Sequence, residues 1–167
     1  MGKLKGHNDQ LARSPLSNES MKIKRDVVLS VKPIYSEKIL QGHKTVELRR
    51  RFPVSAPIGA LAYIYSTSPV KAMVGIASIR DILKLPVEQI WAEFKSAALI
   101  ERYHFDKYFE GLDCGFVLIF DDVKAFSRPL PLSELREKFG FEPPQSFLYA
   151  KRNLRKVLQD EPAIVSH

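Results

Sequence analysis

The order of segments along the chain predicts an α+β fold: a small barrel of five to six mixed strands with flanking helices. Three observations carry this reading. Apolar and polar residues alternate with period two in several short β-branched runs, and three of these runs follow one another without an intervening helix. Gly and Pro separate the runs at the corners that a small closed sheet needs. The helical segments open on Pro and stop at Gly, as helices of ordinary length do.

"VVLSVK" from Val27 is a β-branched strand, and Pro33 suits the first turn of the helix "PIYSEKILQG", which sets Tyr35 beside Ile39 and stops at Gly42. "KTVELR" is a second strand, followed by the turn-rich "FPVSAPIG". "ALAYIYST" is a third, and "AMVGIASIRDILKL" a long fourth with Gly75 at a bulge. "PVEQIWAEFKSAALIERY" is a helix opened by Pro86, and "FDKYFEG" a shorter helical piece. "CGFVLIFDDVKAF" is a strongly apolar, central strand. "LSELREKFG" is a helix with Ser133 as its cap, and "PQSFLYAKRNLRKVLQ" is a last helix after Pro143-Pro144.

At 167 residues and 45% hydrophobic content the chain suits one domain with a core of ordinary size. Residues 1–24, polar and without apolar period, read as a disordered tail; the folded domain spans 25–159, and 160–167 form a second tail. Met21 directly follows most of the first tail and offers an alternative natural start. The balance of 26 Lys+Arg against 19 Asp+Glu gives a formal charge of +7, which favours anionic partners such as RNA or nucleotides as readily as it describes a plain basic surface. Cys114 is the lone cysteine, so no intramolecular disulfide forms. His7, His43, His104 and His167 show no ligand spacing, so no metal and no cofactor is expected. No apolar run has membrane-spanning length and no signal-peptide core is present; a reducing cytoplasm is the default location. The sequence does not fix the oligomeric state.

The candidate site lies in "GHKTVELRRR". Thr45, Glu47, Arg49 and Arg51 share one strand face, and Ser30 and Lys32 share a face of the first strand. The helix between the two strands adds a partial positive charge at its N-terminus near Lys32. Lys44, Arg49, Arg50 and Arg51 add cationic character around the single carboxylate of Glu47. Such a carboxylate positions a substrate donor, acts as a base, or simply neutralises its neighbours, and spacing leaves a solvated strand and a site wall equally open.

"LSVKPIYSEKILQGHKTVELRRR" resembles the ASCH domain, a member of the PUA-like superfamily. The resemblance rests on "LSVKP", the Tyr and Ile of the helix, and Gly42, Lys44, Thr45, Glu47 and Arg49, which match a G-x-K-T-x-E-x-R pattern. "YFEGLDCGFVLIFDDV" looks like the family's last core strand with the helix before it, and "LSELREKFGFEPPQSFLYA" is similar to the ending of many bacterial members, so the likeness covers about residues 27–150. It implies a PUA-like barrel with a cleft around the motif that binds RNA or a nucleotide-like ligand. It also implies an alternative, hydrolysis of a modified nucleoside or of RNA, because one branch removes the acetyl group of N4-acetylcytidine and ribonuclease activity has been reported for another. In the deacetylating branch the catalytic lysine falls on Lys44 and its partner threonine on the position of Glu47; Glu93 and Glu101 are the candidates for that branch's glutamate. Lys44 would need a lowered pKa to act as nucleophile or base, which burial and the arginines favour and Glu47 opposes. The binding set expected is Ser30, Lys32, Lys44, Thr45, Glu47, Arg49, Arg50, Arg51, Tyr65, Gln145 and Ser146, with Lys44 and Glu47 reacting if the protein is an enzyme.

Other features have structural readings beside functional ones. Arg152, Arg155 and Lys156 form a basic helical stripe, a phosphate contact or a solvated face. Tyr63 and Tyr65 suit base stacking, with a core role for at least one. Gln145 and Ser146 follow the rigid Pro-Pro and either reach the cleft or, through Ser146, cap a helix.

Overall fold

The structure, a computed structural model, describes residues 25–53 and 58–165, the last three as backbone only. The expected N-terminal tail and part of the turn after the second strand lie outside these residues. The elements are β1 (Val27–Val31), α1 (Pro33–Leu40), β2 (Val46–Arg49), β3 (Leu61–Ser66), β4 (Ala72–Pro86), α2 (Val87–Ala98), α3 (Arg102–Tyr108), β5 (Cys114–Pro131), α4 (Leu132–Phe139), β6 (Phe147–Tyr149), α5 (Arg152–Asp160) and β7 (Ala163–Val165). Six strands run β2-β5-β4-β3-β1-β6 in one curled mixed sheet, a half-barrel with helices packed against it. Among the described residues only β1 and β3 pair in parallel; the remaining pairs are antiparallel. β7 pairs with the far part of β5, within the stretch read as a C-terminal tail.

The alternation in the sequence explains why β1 is buried on both faces. Val27, Leu29 and Val31 join Ile39, Ile64, Ile79 and Leu118 in one apolar cluster. Val28 points the other way, with Tyr63 and Tyr65, against Leu135 of α4 and Leu154 and Leu158 of α5. Val46 and Leu48 of β2 pack with Val117 against Ile90 of α2, Phe105 of α3 and Phe109 just after it. The long strands β4 and β5 curl through three register shifts, one between Met73 and Gly75 as expected. A buried Asp26 ties α5 to the sheet, accepting from Leu61 N at 3.0 Å and from Arg155 Nε at 2.9 Å. Arg155 of the basic stripe is thus a structural partner.

Three expectations need correction. The helix after Pro86 ends at Ala98, not Tyr103: Leu99 takes a left-handed conformation, and the carbonyls of Ala97 and Ala98 accept from Thr45 N and Lys44 Nζ of the neighbouring chain segment. Ser133 is not a cap. Leu132 already begins α4, and its N–H donates to Lys71 O at 2.9 Å. The last helix is two elements, because Phe147–Tyr149 pair with the free edge of β1 and only Arg152–Asp160 are helical. Ser146 accordingly caps no helix.

Candidate functional site

Gly42, at φ +78°, turns the chain sharply out of α1, and the N–H groups of His43 and Lys44 both donate to Lys38 O. This turn delivers Lys44 to the C-terminus of α2, where its Nζ donates to Ala98 O at 2.7 Å. The negative end of a helix is a favourable place for an ammonium. The same Nζ lies 3.5 Å from Glu47 Oε2 and 5.2 Å from the centre of the Tyr35 ring. Period two in β2 then places Glu47 and Arg49 opposite Val46 and Leu48, whose packing against α2 and α3 holds the strand in register. Arg49 Nη2 donates to Glu47 Oε1 and to Ser30 O, each at 3.0 Å, and its Nη1 donates to Ser146 O at 3.1 Å and Ser146 Oγ at 3.3 Å.

The cluster is deeply set: Lys44, Glu47 and Arg49 are 3%, 8% and 5% exposed. Burial lowers the Lys44 pKa; Glu47 opposes the shift, while Arg49 and Lys38 add to it. The Tyr35 hydroxyl is pushed the other way by burial, then by the charges of Glu47 and Glu101, so it remains a proton donor. Arg49 Nε is the one buried side-chain polar atom without a hydrogen-bond partner among the described residues. Beside the cluster, a pocket of about 380 Å3 reaches Lys44 and Thr45 between Gly42 and the β5 residues Asp121 and Lys124.

The structure brings Ser30, Lys44, Glu47, Arg49 and Ser146 together, and spreads the other expected residues elsewhere. Ser30 Oγ donates to Pro144 O at 2.6 Å. Thr45 is exposed beside Lys44, and Gln145 is exposed beside Ser146. Lys32 is an exposed residue at the N-cap position of α1. Arg50 is exposed and its guanidinium binds the carbonyls of Tyr108 and Glu110, while Arg51 is exposed. Tyr65 is buried in the cluster with α4 and α5, its ring 5.7 Å from Phe141, and offers no open face for stacking. Tyr63 is buried as well. Glu93 is exposed and bonds Gln89, whereas Glu101 acts on Tyr35.

Two participants were not singled out as site residues. Tyr35 read only as the apolar partner of Ile39; the sign of its role was its place in the helix carrying the family likeness. Tyr108 donates from its hydroxyl to Leu48 O at 3.1 Å and accepts from Arg50 N, and nothing in the sequence spacing marked it. Among the described residues no group of three or more His, Cys, Asp or Glu could hold a metal ion, and no helix is long and apolar enough to cross a membrane.

Comparison with known proteins agrees with this architecture. The ASCH domain model matches residues 29–142. An ASCH domain-containing ribonuclease of Zymomonas mobilis is 32% identical over 130 residues, covering 77% of this chain and 86% of that protein. The crystal structure of ASCH from Zymomonas mobilis superposes with a TM-score of 0.77 at 30% identity, covering 83% of this chain and 97% of that one. The N-terminal domain of Staphylothermus marinus McrB shares the fold alone, with a TM-score of 0.53 at 9% identity over 80% of this chain and 92% of that one. On the family match and this level of identity, the chain belongs to the ASCH domain family.

Proposed function

We propose that the chain binds single-stranded RNA across the opening beside Lys44, Glu47 and Arg49 and cleaves it there. The observation that carries the reading is Lys44: a lysine 3% exposed, with a lowered pKa, paired to one carboxylate and facing a phenol. A lysine used only for phosphate attraction has no need of such surroundings, whereas a proton-transfer group does. In its neutral form Lys44 takes the proton of a ribose 2′-hydroxyl. The 2′-oxygen then bonds to the adjacent phosphorus, the P–O5′ bond breaks, and the leaving 5′-oxygen takes a proton from the Tyr35 hydroxyl or from water. Glu47 holds the resulting ammonium, and Arg49 holds Glu47 in place. The relative named a ribonuclease, at 32% identity, supports RNA as the substrate class.

A binding-only reading has one observation in its favour. Arg49 and Lys44 spend their hydrogen bonds on internal carbonyls and on Glu47, as a structural clamp would. Removal of an acetyl group from N4-acetylcytidine is the weaker hydrolytic reading, since a carboxylate, Glu47, stands where that branch has a hydroxyl. Purified protein incubated with a labelled oligoribonucleotide and, separately, with N4-acetylcytidine separates these readings. We expect cleavage of the RNA, lost in Lys44→Ala. Retention of the RNA without cleavage would favour the clamp, and turnover of the nucleoside alone would overturn the choice of substrate.

A further inference from the structure

A second pocket, of about 620 Å3, shares no lining residue with the Lys44 cluster. It lies where the β3–β4 turn meets the start of α4. Tyr65, Lys71 and Arg136 line it, together with apolar walls that include Pro69, Val70 and Pro131. From these residues we infer that it is a second nucleotide subsite, taking the ring and phosphate of one nucleotide that flanks the bond at Lys44. The inference rests on the RNA reading above.

Three independent features point to a ligand there. The Tyr65 ring is buried, while its hydroxyl lies at the pocket wall, where it can bond a ligand or water. The lining carries two cations and no carboxylate. Lys71 has no ion pair among the described residues, and Arg136 makes a two-pronged exposed pair, at 2.9 and 3.0 Å, with Glu142, which lies outside the lining. Val70, at 47% exposed, presents an aliphatic surface next to Pro69, which suits a planar ring better than a hydrated ion. A volume in this range fits a small organic ligand with a few convergent polar groups.

The pocket and the Lys44 cluster are joined by one short segment. Tyr65 stands opposite Ser30 in the β1–β3 register. Ser30 Oγ donates to Pro144 O, Pro143 is part of the pocket lining, and Ser146 receives Arg49. A strand crossing residues 143–146 therefore passes from one site to the other, with a phosphate on Lys71 and Arg136 and its ring on the Pro69–Val70 wall.

The test is an amide NMR titration of the full chain with adenosine 5′-monophosphate, inorganic phosphate and a hexa-adenylate. The monophosphate should shift Tyr65, Lys71 and Arg136, and should still do so in Lys44→Ala. Tyr65→Phe, which keeps the ring, and Lys71→Gln should each weaken it by roughly 3- to 10-fold, the worth of one ordinary hydrogen bond. Inorganic phosphate should bind more weakly than the nucleotide. Absence of shifts at these residues with millimolar nucleotide, shifts indifferent to both variants, or equal affinity for phosphate would overturn the nucleotide assignment. Failure of the RNA reading looks different: the hexa-adenylate leaves Lys44, Glu47 and Arg49 unmoved while the monophosphate still shifts the pocket.

Discussion

Arg49 on β2 donates to both the carbonyl and the hydroxyl of Ser146, 97 residues away, at 3.1 and 3.3 Å. β2 is one edge of the curled sheet and β6, directly after Ser146, is the other. Backbone pairing does not close the half-barrel between these edges; the guanidinium bridges them. The same side chain binds Glu47, so the closure of the sheet and the placement of the carboxylate beside Lys44 depend on one residue.

Arg49→Ala should therefore destabilise the fold by about 3–5 kcal/mol, since it leaves Glu47 buried without its partner. Arg49→Lys should recover only part of that loss, because a single ammonium lacks the fork that serves Ser30, Glu47 and Ser146 together. Urea denaturation of the three proteins checks both statements.

Lys44 gives a pH signature. Its pKa in the folded protein lies below its ordinary value of 10.5. Between the folded value and 10.5 the unfolded chain binds more protons than the folded one, so stability contributed by this residue rises with pH in that window. The stability of the unaltered protein relative to Lys44→Met should accordingly increase through the alkaline range. Denaturant melts at successive pH values would expose a flat difference if the lysine were ordinary.

Glu47→Gln removes the charge that opposes the lowering of the Lys44 pKa. If neutral Lys44 is the base, the rising limb of the cleavage rate against pH should move to lower pH in this variant. A limb that stays in place would assign the proton transfer to another group.

Gly75 tests the bulge that bends β4. A methyl group there would stand 2.5 Å from both Lys124 O and the Leu40 side chain, and the backbone oxygen cannot retreat without disturbing the ladder. Gly75→Ala should cost about 1–3 kcal/mol, read as a lowered midpoint in thermal melting.

Much of this arrangement was legible in the sequence wherever local chemistry decides the outcome. The Pro33 start, the Gly42 stop and the two-residue period of β2 place Lys44, Glu47 and Arg49 as expected. Long-range pairing decided the rest. Phe147–Tyr149 carry residues that a helix accepts, yet the free edge of β1 takes them as a strand. Leu99 ends α2 because Lys44 and Thr45, just before β2, supply donors to the last carbonyls, partners that no window around Leu99 contains. Tyr65 alternates like a surface residue, but α4 and α5 cover its face of the sheet. Burial of the motif itself was also hidden: a run of lysine and arginines reads as open cationic surface, whereas Lys44 and Arg49 are enclosed and Arg50 and Arg51 are left outside.

The most direct measurement is cleavage of an end-labelled single-stranded oligoribonucleotide by the purified chain and by Lys44→Ala, with circular dichroism confirming that the variant is folded. The unaltered protein should give discrete products ending in a 2′,3′-cyclic phosphate, and Lys44→Ala none above background. Equal cleavage by a folded Lys44→Ala protein would contradict the role assigned to Lys44.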